Sequence, residues 1–213
     1  MSHPEQLEFI QSVKKVFESN FSTAKVLEIG SLNINGSIRQ FFDGCDYIGI
    51  DVGGGRDVDI VCGGHEYAAP EESYDTIISC ECFEHNPYWM ETFINMHRMC
   101  KVGGLMIMTC ATTGRAEHGT TRTTPLDSPL TLDWNYYKNL TENDFTKRLN
   151  LSDLFSKFKF DVDQEAYDLR FYGIKKSSLK KYPKFLIKHR SKYLFKMLIW
   201  QIRKRVLGLN SIK

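Results

Sequence analysis

The chain has 213 residues, enough for one domain of ordinary size with an appended segment. Hydrophobic residues make up 42% and charged residues 25%, and 14 Phe with 10 Tyr supply ample core, which excludes a disordered or fibrous chain. The net charge of +2 conceals an asymmetry: Leu169 to Lys213 carries 14 Lys/Arg and no Asp or Glu, so the residues before it hold the other 14 basic groups and all 26 acidic ones, a balance of −12.

Pro4 at a first helical turn opens an amphipathic helix with Phe9-Ile10, Val13 and Val16-Phe17 on one face. Lys25 to Ile29 is short, apolar and stopped by Gly30, as a buried strand should be. Asn35-Gly36-Ser37 leads into a short helix over Ile38 to Phe42. Tyr47 to Ile50 is a second strand ending at Asp51, Val58 to Cys62 a third, and Tyr74 to Ser79 a fourth. Asn86 caps and Pro87 starts a helix with apolar residues at Phe93, Met96 and Cys100, for which Gly103-Gly104 is the expected stop. Leu105 to Thr109 is a fifth strand. Residues 111–135 are rich in Thr, Gly and Pro, and a loop of that length in a compact domain is usually functional. A helix start at Thr141-Glu142-Asn143-Asp144 and two strands, Phe158 to Val162 and Leu169 to Ile174, complete the body. Strands alternating with helices predict an α/β fold with a parallel sheet.

In such sheets ligands sit beyond the carboxyl ends of the strands. Glu28, Gly30 and Gly36 fall at the first such end and Asp51 at the second. The G-x-G-x-x-G fingerprint of a nicotinamide site is absent, and Glu28 would repel a pyrophosphate, so a ligand bearing an ammonium group suits the place better. A carboxylate at Asp51 suits a pair of ribose hydroxyls.

The stretches Val26-Leu27-Glu28-Ile29-Gly30, Tyr47-Ile48-Gly49-Ile50-Asp51, His65-Glu66, Ser73 to His85 and Met99 to Leu105 resemble, in this order, a class I S-adenosylmethionine-dependent methyltransferase of the small-molecule type, over roughly residues 20 to 112. The resemblance implies a Rossmann-like, mostly parallel seven-stranded sheet with an antiparallel C-terminal strand. It implies S-adenosylmethionine as cofactor, with Gly30 lining its methionine portion, Glu28 near its amino group, and Ser31, Asn33 and Gly36 also among the cofactor-binding residues. Asp51 would hold the ribose, Val52 would pack on adenine, Gly64 and His65 would face the adenine edge, and Cys80-Glu81 would close over the sulfonium. Two departures stand out. The loop Gly30 to Gly36 is longer than the family's glycine loop and lacks its middle glycine, so Asn33 or Asn35 must shape the turn. Gly63 stands where the family often has Asp.

Catalysis of methyl transfer to oxygen calls for a base, and His85 and His118 are the candidates. Arg115 and Arg122 suit an anionic acceptor. No metal site is expected, because Cys80-x-Cys82 lacks zinc spacing. Four Asn-x-Ser/Thr triplets, at Asn20, Asn35, Asn139 and Asn150, are chance matches without a secretory signal. The expected acceptor is an oxygen or nitrogen of a small molecule, a sugar or glycan hydroxyl first, since Trp134, Tyr136 and Tyr137 lie in or near the long loop. The rival readings are a cofactor-binding scaffold without catalysis and a nucleotide-dependent oxidoreductase.

The expected domains are a catalytic unit over 1–176 and a basic amphipathic helical extension over 177–213. Tyr182, Phe185-Leu186, Leu194, Met197-Leu198, Ile202 and Val206 recur there at helical spacing among lysines and arginines. That pattern fits packing on protein, a homodimer contact included, or a peripheral membrane segment better than nucleic-acid binding. No apolar run approaches the ~20 residues of a membrane span, and the first residues lack a signal peptide's pattern, which predicts a cytoplasmic chain with reduced thiols.

Overall fold

The computed structural model describes residues 3–177. The proposed extension over 177–213 therefore lies, all but its first residue, outside the described residues. Seven strands form one sheet in the order β3-β2-β1-β4-β5-β7-β6. Strands β1 (Lys25–Ile29), β2 (Asp46–Asp51), β3 (Ile60–Val61), β4 (Tyr74–Cys80) and β5 (Cys100–Ala111) run parallel to their neighbours among these five. β7 (Asp168–Lys175) pairs antiparallel with both β5 and β6 (Phe155–Asp163), so the last two strands are a hairpin. The expected Rossmann-like sheet is present.

Alternation along the parallel strands sends apolar side chains to both faces, and each face has its own core. Helix α1 (Pro4–Val16) places Phe9, Ile10 and Val13 on one face, against Val26, Leu105 and Ile107. Helix α2 (Trp89–Met99) covers the other face. There Phe93 meets Phe145 of α3 (Glu142–Thr146), Phe155 and Phe171 at centroid distances of 5.0, 6.2 and 5.5 Å. Full burial of one such ring is worth roughly 1.5–3 kcal/mol, with about 0.5–1.5 more per well-oriented aromatic pair. The short α4 (Leu151–Leu154) then leads directly into β6.

Several boundaries differ from the sequence expectation. Asn86 does not cap α2; its carboxamide accepts from the Tyr88 N–H and donates to Thr92, holding a turn that precedes the helix. The helix stops at Met99 rather than at Gly103-Gly104, because Cys100 is already extended and pairs with Tyr74. The two glycines lie within β5, where the register shifts between Tyr74 and Thr76. Gly103 has φ +79°, and a Cβ at Gly104 would stand 2.8 Å from Cys100 Sγ and 2.9 Å from the Asp75 carbonyl. Apolar periodicity continuing through Cys100 hid this switch from helix to strand. The third strand is only two residues long, and the fifth extends to Ala111. Among the described residues no helix is long and apolar enough to cross a membrane.

Candidate active site

The carboxyl ends of β1, β2 and β4 converge on one edge of the sheet. At the end of β1 the chain bends over β2, with the N–H groups of Gly30 and Ser31 both donating to the Ile50 carbonyl. Gly30 has φ +80°, and a Cβ there would stand 2.7 Å from the Cβ of Cys82, so only glycine fits this bend. The loop that follows is shaped by Asn33, but not through a positive φ. Its Oδ1 accepts from the Gly36 N–H at 2.9 Å and its Nδ2 donates to Asp57 at 2.7 Å, a side-chain substitute for the missing glycine.

Asp51 fixes this loop to β2. One carboxylate oxygen accepts from the Leu32 N–H at 3.0 Å and the other from Val52 N–H at 2.7 Å. Burial raises its pKa, and the two N–H donors act against that rise. Two small cavities open here. One, of ≈ 50 Å³, is lined by Gly30, Leu32, Asp51, Cys82, His85 and Leu130. The other, of ≈ 20 Å³, is lined by Gly30, Asp51, Val52, Gly64, Asn86 and Trp134. Their roof is the segment 127–134 of the long loop. Pockets that take drug-sized ligands are about 300–1,000 Å³, larger than the space beneath this roof.

Gly30, Asp51, Val52 and Gly64 line the second cavity together. Glu81 also lines the first cavity, whereas six other expected cofactor residues, Glu28, Ser31, Asn33, Gly36, His65 and Cys80, line neither. Glu28 is buried on the α1 side of the sheet, where the Tyr47 hydroxyl donates to it at 2.9 Å; burial raises its pKa to about 7, against that hydrogen bond and the Arg39 charge. Ser31 is buried beside Gly49, and Cys80 packs in the core beneath α1, leaving Cys82 to line the site. The His65 ring stacks on Tyr88 at 4.1 Å, with Trp134 edge-on to both.

Beyond Cys80 lies a wider cleft of ≈ 450 Å³, lined by His3, Glu81, His85, Arg115, Glu117 and His118 among others. Glu81 adopts φ +49° and turns toward His3 of the N-terminal segment and Thr109 of β5, whose hydroxyl donates to it at 3.0 Å. His3 Nε2 is 3.0 Å from Asp168 and 3.9 Å from Glu81. Burial lowers the pKa of His3, but the two carboxylates outweigh it and raise it to about 10; burial pushes Glu81 up, yet His3 brings it down to about 2. Arg115 is spent on Asp168, at 3.1 Å, and on the Ala166 carbonyl, and Arg122 pairs with Glu117 at 2.8 Å. Neither arginine is presented as an open anion site.

The two candidate histidines do meet. Their ring centroids are 4.9 Å apart, and Tyr137 packs on both at 5.5 and 5.1 Å. His85 is buried, and burial together with His118 lowers its pKa to about 3. His118 Nδ1 lies 3.1 Å from the Ala116 carbonyl, which only accepts, so the contact selects the tautomer with the hydrogen on Nδ1. Beneath them Glu84 is wholly buried, with neither carboxylate oxygen hydrogen-bonded; burial and the charge of Glu81 raise its pKa. Ligand atoms of Glu84, His85 and His118 lie within 4.8 Å of one another. The aromatic trio is divided: Trp134 roofs the small cavity, Tyr137 supports the histidines, and Tyr136 packs on the core.

Residues missed in the sequence are His3, Cys82, Glu84, Leu130 and Asp168. Only Glu84 carried a local signal, as the acid adjoining a candidate histidine.

Residues 35–108 match the family model described as a methyltransferase domain. No curated protein matches the chain by sequence. The fold is similar to that of the CurJ carbon methyltransferase (TM-score 0.55, 16% identity, covering 80% of this chain and 54% of that one). It is also similar to the 1,6-didemethyltoxoflavin-N1-methyltransferase of Burkholderia thailandensis, with bound 1,6-didemethyltoxoflavin and S-adenosylhomocysteine (TM-score 0.52, 13%, 83% and 92%). A third is the phosphoethanolamine N-methyltransferase 2 of Haemonchus contortus with S-adenosylmethionine (TM-score 0.52, 15%, 78% and 53%). The chain spans about half the length of the first and third of these. The fold is that of the Rossmann-like methyltransferases.

Proposed function

We propose that this chain transfers a methyl group from S-adenosylmethionine to a small-molecule acceptor. The observation that carries the reading is the meeting of Gly30, Asp51, Val52 and Gly64 at the carboxyl ends of the sheet, next to a cleft large enough for a second ligand. S-adenosylmethionine, when bound, supplies an electrophilic methyl on a positively charged sulfur.

The chain's own residues would divide the work as follows. Asp51 accepts hydrogen bonds from ribose hydroxyls with a carboxylate already held in place by two backbone N–H groups. Val52 and Trp134 offer apolar surface to the base, and Gly30 and Gly64 let the backbone come close to the ligand. Segment 127–134 excludes water from the reacting centre once it closes. His85 lines both the small cavity and the cleft, so it marks the border across which methyl must pass. With His118 it is placed to activate the acceptor. Holding donor and acceptor in line on either side of that border supplies much of the rate.

The finer reading of the acceptor is a hydroxyl, with a sugar or glycan the first candidate, because the cleft is lined by groups that exchange hydrogen bonds with hydroxyls. We further propose that residues 1–176 are the catalytic unit and that the basic segment 177–213 makes a protein or anionic-surface contact of its own.

Calorimetry with S-adenosylhomocysteine and with NAD tests the cofactor, followed by an assay of S-adenosylhomocysteine release over a panel of hydroxylated and amine acceptors. Binding of NAD in preference overturns the reading. Tight S-adenosylhomocysteine binding without turnover on any acceptor points to a scaffold.

A further inference from the structure

We propose that Glu84, His85 and His118 hold a divalent metal ion at the border between the cofactor cavity and the acceptor cleft. The placement is a consequence of the fold. Glu84 and His85 lie in the turn after β4, and the long loop after β5 folds back to bring His118 over them. Three side chains from two separate segments thereby bring their ligand atoms within 4.8 Å, and His85 Nε2 is 4.0 Å from Glu84 Oε1. Two ligands at about 2.1 Å from one ion stand about 3.4–4.2 Å apart, so the triangle needs only a small contraction.

An independent observation points to a cation. Glu84 is wholly buried and both of its oxygens lack a hydrogen-bond partner. A buried carboxylate without partners is costly, and a bound cation would supply the missing partner. The neighbouring cluster of His3, Glu81 and Asp168 differs, since His3 and Arg115 already supply it with positive charge. Outer contacts also favour ligation: the Ala116 carbonyl selects the His118 tautomer with the hydrogen on Nδ1, and it accepts from Tyr137 at 3.0 Å as well. A second hydrogen bond of this kind commonly orients a ligating imidazole.

Two imidazoles and one carboxylate suit a first-row transition ion such as Zn²⁺ or Co²⁺, with positions left open toward the cleft. Its use there rests on the methyl-transfer reading; its binding does not. An acceptor hydroxyl on the ion loses its proton to solvent more readily. The oxygen lone pair then forms the new O–CH₃ bond as the S–CH₃ bond breaks, and that bonding pair stays on sulfur as the neutral thioether.

The test uses the full chain, stripped with a chelator and titrated with Zn²⁺ by calorimetry and with Co²⁺ by visible absorption. One equivalent should bind, with ligand-field bands and no thiolate charge-transfer band. Glu84→Gln and, separately, the loop variant His118→Ala should each weaken binding by at least about 10–100-fold, while His3→Gln should leave it unchanged. No stoichiometric binding by the parent chain overturns the proposal, as does equal binding by both variants. Loss in His3→Gln alone, or a thiolate band, places the ion elsewhere and overturns it too. S-adenosylhomocysteine affinity, measured on the same samples, separates the two readings: retained cofactor binding with no metal rejects only the ion.

Discussion

The Tyr47 hydroxyl donates to the Glu28 carboxylate across β1 and β2 at 2.9 Å, deep beneath the N-terminal helix and away from the cavities. The groups facing Glu28 are Tyr47 itself, Arg39, Asp57, Asp51 and Cys80, with Arg39 lying over the Tyr47 ring. Burial leads, and it raises the carboxyl from 4.5 to about 7 in the folded state.

The sign of the pH dependence follows. A carboxyl with a raised folded pKa gives up its proton more easily in the unfolded chain, so the fold loses stability as pH climbs from about 4.5 to about 7. Glu28→Gln, which still accepts from Tyr47, removes that loss. Its stability relative to the parent should be greater at pH 8 than at pH 4.5, by an amount on the order of 1–3 kcal/mol. Urea denaturation at the two pH values measures it. An equal difference at both would mean that Glu28 stays ionised in the fold.

Asp51→Ala should weaken S-adenosylhomocysteine binding by about 10- to 100-fold, from the loss of charge-assisted hydrogen bonds worth roughly 1.5–3 kcal/mol. The Leu32 N–H loses its acceptor as well, so part of the deficit should appear as a looser loop over 31–36. Calorimetry supplies the affinity and amide exchange at Leu32 the loop. Unchanged affinity would remove Asp51 from the ribose.

Gly30 and Cys82 form a second such contact. Gly30→Ala places a Cβ at φ +80° and 2.7 Å from Cys82 Cβ. The conformation alone costs roughly 1–2 kcal/mol, and the clash adds to it. Cys82→Gly in the same chain relieves the clash but not the φ. A double-mutant cycle by denaturation should therefore show a favourable coupling of about 0.5–3 kcal/mol. Strict additivity would mean that the two positions do not touch.

Much of this was legible because apolar runs that stop at Gly30 and Asp51 are what buried parallel strands look like, and the strand ends define the ligand edge. Other parts had no local signature. His3 precedes a helix and meets Asp168 only because α1 and β7 converge, a contact that no spacing announces. The turn at Asn33 works through a side-chain acceptor, where sequence reasoning expected a left-handed residue. Glu84 has no signature of its own beside His85, because burial without partners is a property of packing. The aromatic residues near the loop looked like one platform, but the chain's path sends them to three places.

The roof over the small cavities gives the last prediction. Leu130 is its contact point: a Cβ on Gly53 would stand 2.7 Å from Leu130 Cδ2, so the leucine rests directly on the loop after β2. The roof is tied together, because the Thr131 N–H donates to the Ser128 carbonyl and Asn135 Oδ1 accepts from both the N–H and hydroxyl of Thr121. With only ≈ 50 and ≈ 20 Å³ beneath it, the roof should lift as the cofactor enters. Leu130→Ala removes the apolar contact that holds it down and leaves these hydrogen bonds in place. Stopped-flow association of S-adenosylhomocysteine should quicken severalfold in this variant, and protease cleavage within 113–131 should be faster until saturating ligand is added. If lifting limits entry, the rate in the parent chain should also level off at high ligand concentration, since opening then precedes binding. An association rate that rises linearly with ligand and is identical in both proteins would mean that the roof is no barrier.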